Sequence, residues 1–484
     1  MGPNISKKDM PSSVAAGAEW GYAVKENAGR YMRRAGTRCA IIGSMTQPPS
    51  QHVRITGSPS RHPWRLAVAA LCVAVLAAAG VWLAWPSVWG ALSARLPHDP
   101  ASARPGSASS SPAGGAHAPL TLDRGAVPEA SARLVRLDQA RRRAETAVNG
   151  MSVEERVGQL VMAPLFAGSD ASALSDLIAN RHVGSVLIIG NWVDGTAGVR
   201  QATDALQGYA PADNRLIMAT DQEGGLVQHL TGAGFDAMPS AVEQGRMSAD
   251  QLRASAAVWG AQLAQAGINV DLAPVLDTVT MDRASNAPIG ALNRDFGLDA
   301  AGNAGHGTAF IEGLRQAGVG AAVKHYPGLG AVSGNTDFTA DGILDTTTTL
   351  GGGEAGAFEQ AIDAADPVMV MMSLATYQAI DPSAPAAFSS AIIDSHLRGE
   401  AGYDGVVTSD SLSAAALGGI APDQLGVRLV EAGGDLACIG DTAYVQPVLD
   451  GLLARARSDA DFAAKVTRSA TRVMTLKYLM DLAG

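Results

Sequence analysis

The sequence is poor in cysteine, with Cys39, Cys72 and Cys438 as the only three among 484 residues. They fall in separate regions, which argues against a disulfide framework and against the paired cysteines of a structural metal site. Cys438 lies in the apolar stretch DLACIG, so we predict a small buried hydrophobic residue there. No glycine-rich phosphate loop of the Walker or dinucleotide type opens a helix after the first predicted strand. We therefore expect neither a cofactor nor a metal.

Basic residues are scarce outside the N-terminal region. Residues 1–65 contain ten Lys and Arg against three acids, a charge of +7, whereas the whole chain carries −10. The remainder must then carry −17. A domain this acidic lacks the clustered basic side chains that bind nucleic acid, so we predict no nucleic acid partner.

One long apolar run, residues 66–85, contains no charged side chain and is long enough to cross a bilayer as a helix. Tryptophans stand near both of its ends, where their rings favour the membrane interface. Because the basic excess precedes it, the positive-inside rule predicts a single-pass anchor over 66–92, with residues 1–65 as a disordered cytoplasmic region. A cleaved signal peptide is the alternative, but no small-x-small cleavage site follows the run at once.

Residues 93–133 are rich in Ala, Ser, Pro and Gly and have few large apolar side chains. Such a segment cannot bury enough surface to offset the entropy of ordering, so we predict a flexible linker. The folded domain is then predicted to span 134–484. With the anchor oriented as above, this domain lies on the extracytoplasmic side of the cell membrane.

Eight short apolar runs alternate with helix-like stretches across this domain. Their apolarity is continuous rather than alternating, which is typical of parallel strands covered on both faces. The pattern predicts a single α/β domain, a (β/α)₈ TIM-type barrel, with a doubly wound open sheet as the alternative. The runs are 158–166, 184–190, 215–221, 268–277, 318–325, 367–373, 404–410 and 434–440.

Polar residues follow most of these runs. In a barrel, the residues just past each strand share one mouth, where catalysis takes place. Several acids with one Lys-His pair would suit a polyhydroxylated ligand, because carboxylates accept hydrogen bonds from sugar hydroxyls and lysine donates them. The pattern therefore points to a carbohydrate. The residues are Asp221, Glu223, Asp271, Asp277, Lys324, His325, Ser373, Asp410 and Asp441.

Six motifs in one order resemble the barrel domain of glycoside hydrolase family 3, and within it the single-domain bacterial β-N-acetylglucosaminidases. The resemblance covers essentially residues 134–484. The motifs are MSVEERVGQLVM (151–162), ATDQEGGLVQHL (219–230), DLAPVLD (271–277), NRDF (293–296), VKHYPGLG (323–330) and VVTSDSL (406–412).

The resemblance implies a retaining mechanism, in which the Asp of the Ser-Asp motif attacks the anomeric carbon and forms a glycosyl-enzyme that water later opens. Here that nucleophile would be Asp410. The alternative is that Asp410 merely caps a helix beginning at SLSAAAL, which its position would allow.

The same residue-by-residue comparison implies that Asp221, Arg294, Lys324 and His325 hold sugar hydroxyls. We add His229, which stands where the family pattern has an Arg. As alternatives, Asp221 and Arg294 could form a structural ion pair, and His325 could be a core histidine with its hydrogen bonds satisfied. Glu223, followed by two glycines, is expected to brace its loop rather than touch the substrate.

The loop KHYPGLGAVSGNTDF (324–338) departs from the family pattern. In the acetylglucosaminidases it has a second His, and then an Asp-x-His dyad whose His protonates the leaving oxygen. This chain has Leu329 in place of the second His, with Asn335 and Asp337 in place of the dyad. Three outcomes follow. Asp337 is itself the acid/base, or Asp337 binds substrate and Asp341 reaches into the site as the acid, or turnover is lost and sugar binding remains. We predict the first.

Together these expectations describe a membrane-anchored, monomeric, retaining glycoside hydrolase that acts from the non-reducing end. Its predicted substrate is a β-linked N-acetylglucosamine unit of cell-wall-derived glycans. A β-glucosidase-like specificity and a catalytically impaired binder of wall glycans remain as alternatives.

Overall fold

The computed structural model describes residues 126–484. The predicted cytoplasmic region (1–65) and anchor (66–92) lie outside the described residues, as does most of the predicted linker. No helix within the described part combines the length and the apolarity needed to cross a bilayer. The helix Ala126–Gly150 begins inside the range 93–133 that we predicted as linker. Its Ala, Leu, Arg and Glu residues are strong helix formers, which composition alone did not reveal.

The described part consists mainly of strands alternating with helices. In chain order the strands are β1 (Val161–Phe166), β2 (Ser185–Ile189), β3 (Ile217–Thr220), β4 (Gln222–Gly224), β5 (Val227–Gln228), β6 (Val270–Asp271), β7 (Gly320–Tyr326), β8 (Leu344–Asp345), β9 (Met369–Met372), β10 (Thr376–Tyr377), β11 (Asp381–Pro385), β12 (Val406–Ser409) and β13 (Ala437–Cys438). The helices are α1 (Ala126–Gly150), α2 (Val153–Gln159), α3 (Ser175–Ala179), α4 (Gly195–Gln207), α5 (Ala241–Gln244), α6 (Ala249–Gln265), α7 (Ala300–Gln316), α8 (Gly353–Ala365), α9 (Pro422–Glu431), α10 (Thr442–Ser458) and α11 (Ala460–Leu479), with a π-helix at Ala391–Glu400.

Eight of the strands form one parallel sheet in the order β12-β9-β7-β6-β3-β2-β1-β13. A parallel bridge between Thr408 and Leu436 joins the two ends of this order, so the sheet is a nearly closed barrel. Each of the eight predicted runs overlaps one of these strands. The open doubly wound alternative is wrong, because its two edges would not meet.

Successive residues of the barrel strands point to opposite sides of the sheet and enter two separate apolar clusters. Val186 and Met218 pack with helix residues such as Leu252. Met162 and Leu187 belong to the second cluster, which fills the barrel interior. Both sides of each strand are therefore buried, which explains the continuous apolarity of the sequence. Cys438 is a buried free thiol in the interior cluster, as predicted.

A buried ion-pair network supports the closure between β12 and β13. Asp435 is inaccessible to solvent and accepts a hydrogen bond from the backbone N–H of Val407 at 2.9 Å. Its two oxygens also accept from Arg398 at 2.5 Å and from Arg472 at 3.2 Å. The Asp435 carboxylate thus connects the two closing strands, β12 and β13, to the two helices that carry these arginines.

We expect the substitution Asp435→Asn to lower the free energy of unfolding by about 3–5 kcal/mol, because it leaves the buried Arg398 guanidinium without its counter-ion. Urea denaturation would measure this loss. The matched control is Asp404→Asn, since the exposed Asp404 also pairs with Arg472. That exposed pair should be worth less than about 1 kcal/mol. Equal losses in the two variants would contradict the assignment.

Candidate active site

The loops that leave the carboxyl ends of the barrel strands bring the predicted site residues to one mouth. Asp221 directly follows β3, and the β4–β5 hairpin then folds Glu223 back over the strand ends, with Gln222 paired to Gln228. Gly224 permits this hairpin: its φ is +97°, and a Cβ there would collide with the carbonyl oxygen of Pro239. A side chain at this position would therefore displace Glu223.

Glu223 lies at the centre of a buried cluster of charges. Arg294 donates two hydrogen bonds to its carboxylate, at 2.7 and 2.9 Å, and the Lys324 Nζ lies 2.7 Å from Glu223 Oε1. Burial by itself would raise the pKa of Glu223, but Arg294 and Lys324 outweigh burial and hold it well below its usual range. Glu223 braces its loop as expected, and it also positions both cations.

Asp221 completes this cluster on its solvent side. The Lys324 Nζ lies 2.5 Å from Asp221 Oδ1, and the Asp221 side chain is 18% exposed, whereas that of Lys324 is 1% exposed. The alternative of an Asp221–Arg294 ion pair is wrong, because Arg294 pairs with Glu223 instead. Asp221 and Arg294, which is 14% exposed, are the most accessible members of the cluster.

His229 adjoins the same carboxylate, with its Nε2 3.8 Å from Asp221 Oδ2. Burial lowers the pKa of His229 more than the charge of Asp221 raises it. The imidazole is therefore neutral at pH 7 and can donate or accept one hydrogen bond, unlike the arginine of the family pattern.

His325 is oriented by a carboxylate from the neighbouring strand connection. Its Nδ1 lies 2.7 Å from Asp277 Oδ2, while Asp277 Oδ1 accepts from the backbone N–H groups of His325, at 3.2 Å, and Leu329, at 2.8 Å. Within the described residues, His325 Nε2 makes no hydrogen bond. The Nδ1 of His325 is therefore satisfied within the protein, as the core-histidine alternative would require, whereas its Nε2 is left for a ligand.

Polar side chains hold the loop after His325 in place. The Tyr377 hydroxyl donates to the Gly328 carbonyl at 2.5 Å, and the Asn286 amide donates to the carbonyls of Leu329 and Val332 at 2.8 and 2.7 Å. Leu329, which replaces a histidine of the family pattern, is buried in the apolar core. It contributes packing rather than a polar contact to the site.

The loop that carries Asp337 adjoins the segment that carries Asp410. The carbonyl of Thr336 accepts from the backbone N–H of Ala416 at 3.0 Å, and the carbonyl of Asp337 accepts from Ala415 at 3.3 Å. Asp410 follows β12, and both carboxylic residues are partly accessible. These backbone hydrogen bonds connect the candidate acid to the segment of the candidate nucleophile.

Asp410 does not cap a helix. Among the described residues, its Oδ1 accepts a hydrogen bond only from the backbone N–H of Ser411, at 2.8 Å, and the next α-helix, α9, begins at Pro422. The capping alternative is therefore wrong. Asp441, by contrast, caps α10 by accepting from the N–H of Ala443 at 2.9 Å.

Asp337 has the protonation behaviour of a general acid. Burial raises its pKa to about 7; the like charge of Asp410 also raises it, against the lowering effects of Arg294 and His325. A substantial fraction of this carboxyl therefore keeps its proton near neutral pH. Asp341, the alternative acid, is exposed, and its backbone N–H donates to the hydroxyl of Thr339 at 2.9 Å. Neither observation brings Asp341 into the site.

Sequence reasoning assigned no role to Asp277 and did not recognise Glu223 as the residue that positions both cations. Asp277 was the last residue of a predicted strand and Glu223 followed one, and this position was the only available signal. Asp271, also noted at a strand, is buried, and burial raises its pKa to about 8. Within 126–484 no group of three or more His, Cys, Asp or Glu side chains is arranged to hold a metal ion.

The comparisons with known proteins point to one family. The model of the glycosyl hydrolase family 3 N-terminal domain matches residues 152–476. The β-hexosaminidase LpqI of Mycobacterium tuberculosis (strain ATCC 25618 / H37Rv) is 33% identical over 341 residues, which are 68% of this chain and 83% of that protein.

Two solved structures are also similar to this chain. The β-N-acetylhexosaminidase from Beutenbergia cavernae DSM 12333 has 42% sequence identity and a TM-score of 0.64, over 67% of this chain and 97% of that one. The family 3 β-N-acetylglucosaminidase from Paenibacillus sp. str. FPU-7 has 29% identity and a TM-score of 0.60, over 69% of this chain and 64% of that one. From the family match over two thirds of its length, together with these similarities, the chain belongs to glycosyl hydrolase family 3.

Proposed function

We propose that this protein is a retaining, exo-acting β-N-acetylhexosaminidase that removes terminal β-linked N-acetylglucosamine from cell-wall-derived glycans. The observation that carries the proposal is the placement of Asp337 and Asp410 on two segments joined by backbone hydrogen bonds at the mouth of the barrel, where burial raises the pKa of Asp337 to about 7. A carboxyl group that keeps its proton beside the candidate nucleophile is what a glycosidase needs. The similarity to proteins named β-hexosaminidase and β-N-acetylglucosaminidase supports the choice of sugar.

In the first step, Asp410 attacks the anomeric carbon while Asp337 transfers its proton to the oxygen of the leaving group. The glycosidic bond breaks, the leaving sugar departs as an alcohol, and a covalent glycosyl-enzyme remains. In the second step, ionised Asp337 removes a proton from water, whose oxygen attacks the same carbon and releases Asp410. Both carboxyl groups return to their starting states.

The charged cluster would hold the sugar hydroxyls. Lys324 and Arg294 can donate to them, Asp221 can accept, and the Nε2 of His325 has no other described partner. The neutral His229 would contribute a single hydrogen bond beside Asp221. Since all of these residues come from one chain, we propose a monomer as the active unit.

We also propose that the domain lies outside the cytoplasm, held at the cell membrane by residues 66–92. The support is the uncharged apolar run 66–85 and the basic excess before it. Protease treatment of intact cells would test this. The domain should be digested from the outside, and a protected domain would contradict the orientation.

Trapping with a fluorinated slow substrate, followed by peptide mass mapping, tests the proposed chemistry. We expect one sugar adduct on the peptide that contains Asp410. An adduct elsewhere would overturn the assignment of the nucleophile. Parallel assays with aryl β-N-acetylglucosaminide and aryl β-glucoside should favour the former; the reverse preference would indicate a β-glucosidase.

A further inference from the structure

The fully buried side chain of Asn286 joins two segments of the site that lie apart in the sequence. On one side is the acid loop, residues 327–343, which connects β7 to β8 and carries Asp337. On the other side is the segment 286–294, which ends at Arg294. Among the described residues, Asn286 makes no hydrogen bond to either of the proposed catalytic carboxyl groups. Any effect of its side chain on the reaction therefore passes through these two segments.

The amide of Asn286 makes three hydrogen bonds. Its Nδ2 donates to the carbonyls of Leu329 and Val332, at 2.8 and 2.7 Å, and its Oδ1 accepts from the backbone N–H of Gly290 at 2.7 Å. Two carbonyls on one side and an N–H on the other fix the orientation of the amide. Asparagine is the only side chain of this size that offers two donors together with an acceptor, so a substitution leaves buried carbonyls unpaired.

The hydrogen bond from Asn286 to Val332 supports the acid loop a few residues before Asp337. Between Gly330 and Thr336, it is the only hydrogen bond in the described residues that connects this loop to another segment. Beyond it, the loop is next held by the backbone hydrogen bonds that Thr336 and Asp337 accept. The position of the Asp337 side chain therefore depends on one support before it and one at its own backbone.

Arg294 lies at the other end of this connection. Its Nη1 donates to the carbonyl of Pro288 at 2.9 Å, so the guanidinium is held by the same turn that Asn286 holds through Gly290. The charge of Arg294 lowers the pKa of Asp337, against the effect of burial. The amide of Asn286 thereby fixes the proposed acid relative to one of the charges that govern its proton.

We propose that Asn286 is a positioning residue for the general acid: by joining the acid loop to the segment of Arg294, it holds Asp337 where a proton can pass to the leaving oxygen. The inference rests on the proposed function, because it takes Asp337 to be that acid. Proton transfer requires the donor within hydrogen-bond reach of the acceptor. A displacement of about 1 Å at a reacting group can lower a rate by about a hundredfold.

The variant Asn286→Ala tests the proposal with two aryl β-N-acetylglucosaminides, one with a good and one with a poor leaving group. We expect kcat/KM for the poor leaving group to fall about ten- to a hundredfold more than kcat/KM for the good one, because only the poor one needs the proton. Both rates are measured on the same preparation, so any loss of folded protein cancels in their ratio. A purely structural role would therefore leave the ratio unchanged.

The pH profile of the same variant is the second measurement. Burial is the largest of the causes that raise the pKa of Asp337 to about 7, and the charged groups that act on it are Asp410, Arg294, His325 and Asp221. A loosened loop exposes this carboxyl to water, which lowers its pKa toward the ordinary range of a carboxyl. For the poor leaving group, the decline of kcat/KM with rising pH should therefore have its midpoint about half a pH unit or more below that of the wild type. An unchanged ratio or an unchanged midpoint would overturn the proposal.

Asn269→Ala is the matched control. Asn269 also donates to a backbone carbonyl, that of Leu216 at 3.2 Å, and accepts from a backbone N–H, that of Met218 at 2.9 Å, but it precedes β6 at the amino end of the barrel. It should leave the ratio and the midpoint unchanged, and equal effects of the two alanine variants would refute the role of Asn286. If Asn286→Ala does not fold, Asn286→Ser decides: serine keeps one donor, and smaller changes in the same direction are expected, whereas wild-type values would overturn the proposal.

The two proposals can fail separately. If the wild-type protein hydrolyses no glycoside, the proposed function fails, and the role of Asn286 is then measured without turnover. The carboxyl of Asp337 is titrated by ¹³C NMR in the wild type and in the Asn286 variant, with its signal assigned by its absence in Asp337→Ala. A midpoint that does not fall in the Asn286 variant would overturn the inference in that case as well.

Discussion

Replacing Asp410 with asparagine is expected to lower kcat at least about a thousandfold, because an amide of the same shape cannot attack the anomeric carbon. Binding should persist, since Lys324, Arg294 and Asp221 remain in place. Assays with an aryl β-N-acetylglucosaminide would measure the rate, and thermal stabilisation by free N-acetylglucosamine would measure the binding.

Asp441→Asn is the matched control for this experiment. Asp441 also follows a barrel strand, but its carboxylate caps α10. We expect kcat to change less than about twofold and stability to fall by about 1 kcal/mol or less, because asparagine also caps helices well. Turnover that survives in Asp410→Asn would refute the nucleophile.

Replacing Asp337 with alanine is expected to reduce kcat/KM by about 10²–10⁴-fold for substrates with poor leaving groups, which need a proton to depart. For substrates with good leaving groups, kcat/KM should fall far less, because they depart without a proton. Added azide should restore their turnover, because it attacks the glycosyl-enzyme without general-base help. Equal losses for both kinds of substrate would argue against Asp337 as the acid.

The same assignment predicts a pH dependence. The acid must be protonated in the first step, and the pKa of Asp337 is raised to about 7. For poor leaving groups, kcat/KM should therefore fall as pH rises through about 7, and this decline should be absent in the alanine variant. Asp341→Ala is the control, because Asp341 is exposed on the same loop and should leave the profile of a neutral substrate unchanged.

Much of the fold could be predicted from the sequence. Strands covered on both sides need continuous apolar runs, and those runs located all eight barrel strands. The boundaries of individual strands and helices were less predictable. The run 268–277 contains a strand of only two residues, Val270–Asp271, and pairing with β7 resumes only as an isolated bridge between Val275 and Lys324. Likewise, helix formers within an Ala-rich stretch placed the start of α1 earlier than composition indicated.

In the site, likewise, the sequence identified several residues, but the role of one of them depends on the tertiary structure. Position at or just past the end of a strand identified Asp221, Lys324, His325 and Asp410, because the geometry of a parallel barrel brings all strand ends to one mouth. It did not reveal that Glu223 would position two cations. That role depends on the β4–β5 hairpin, which brings Glu223 to Arg294, seventy-one residues away in the chain.

By itself, the sequence determined the barrel, the family and the residues available at its mouth, because strand periodicity and motif order are properties of the chain. Only the tertiary structure decided the protonation of those residues. The pKa of Asp337 depends on its burial and on the charges of Asp410, Arg294 and His325, which come from three other segments. Such interactions depend on distance in space, and distance in space is set only when the chain has folded.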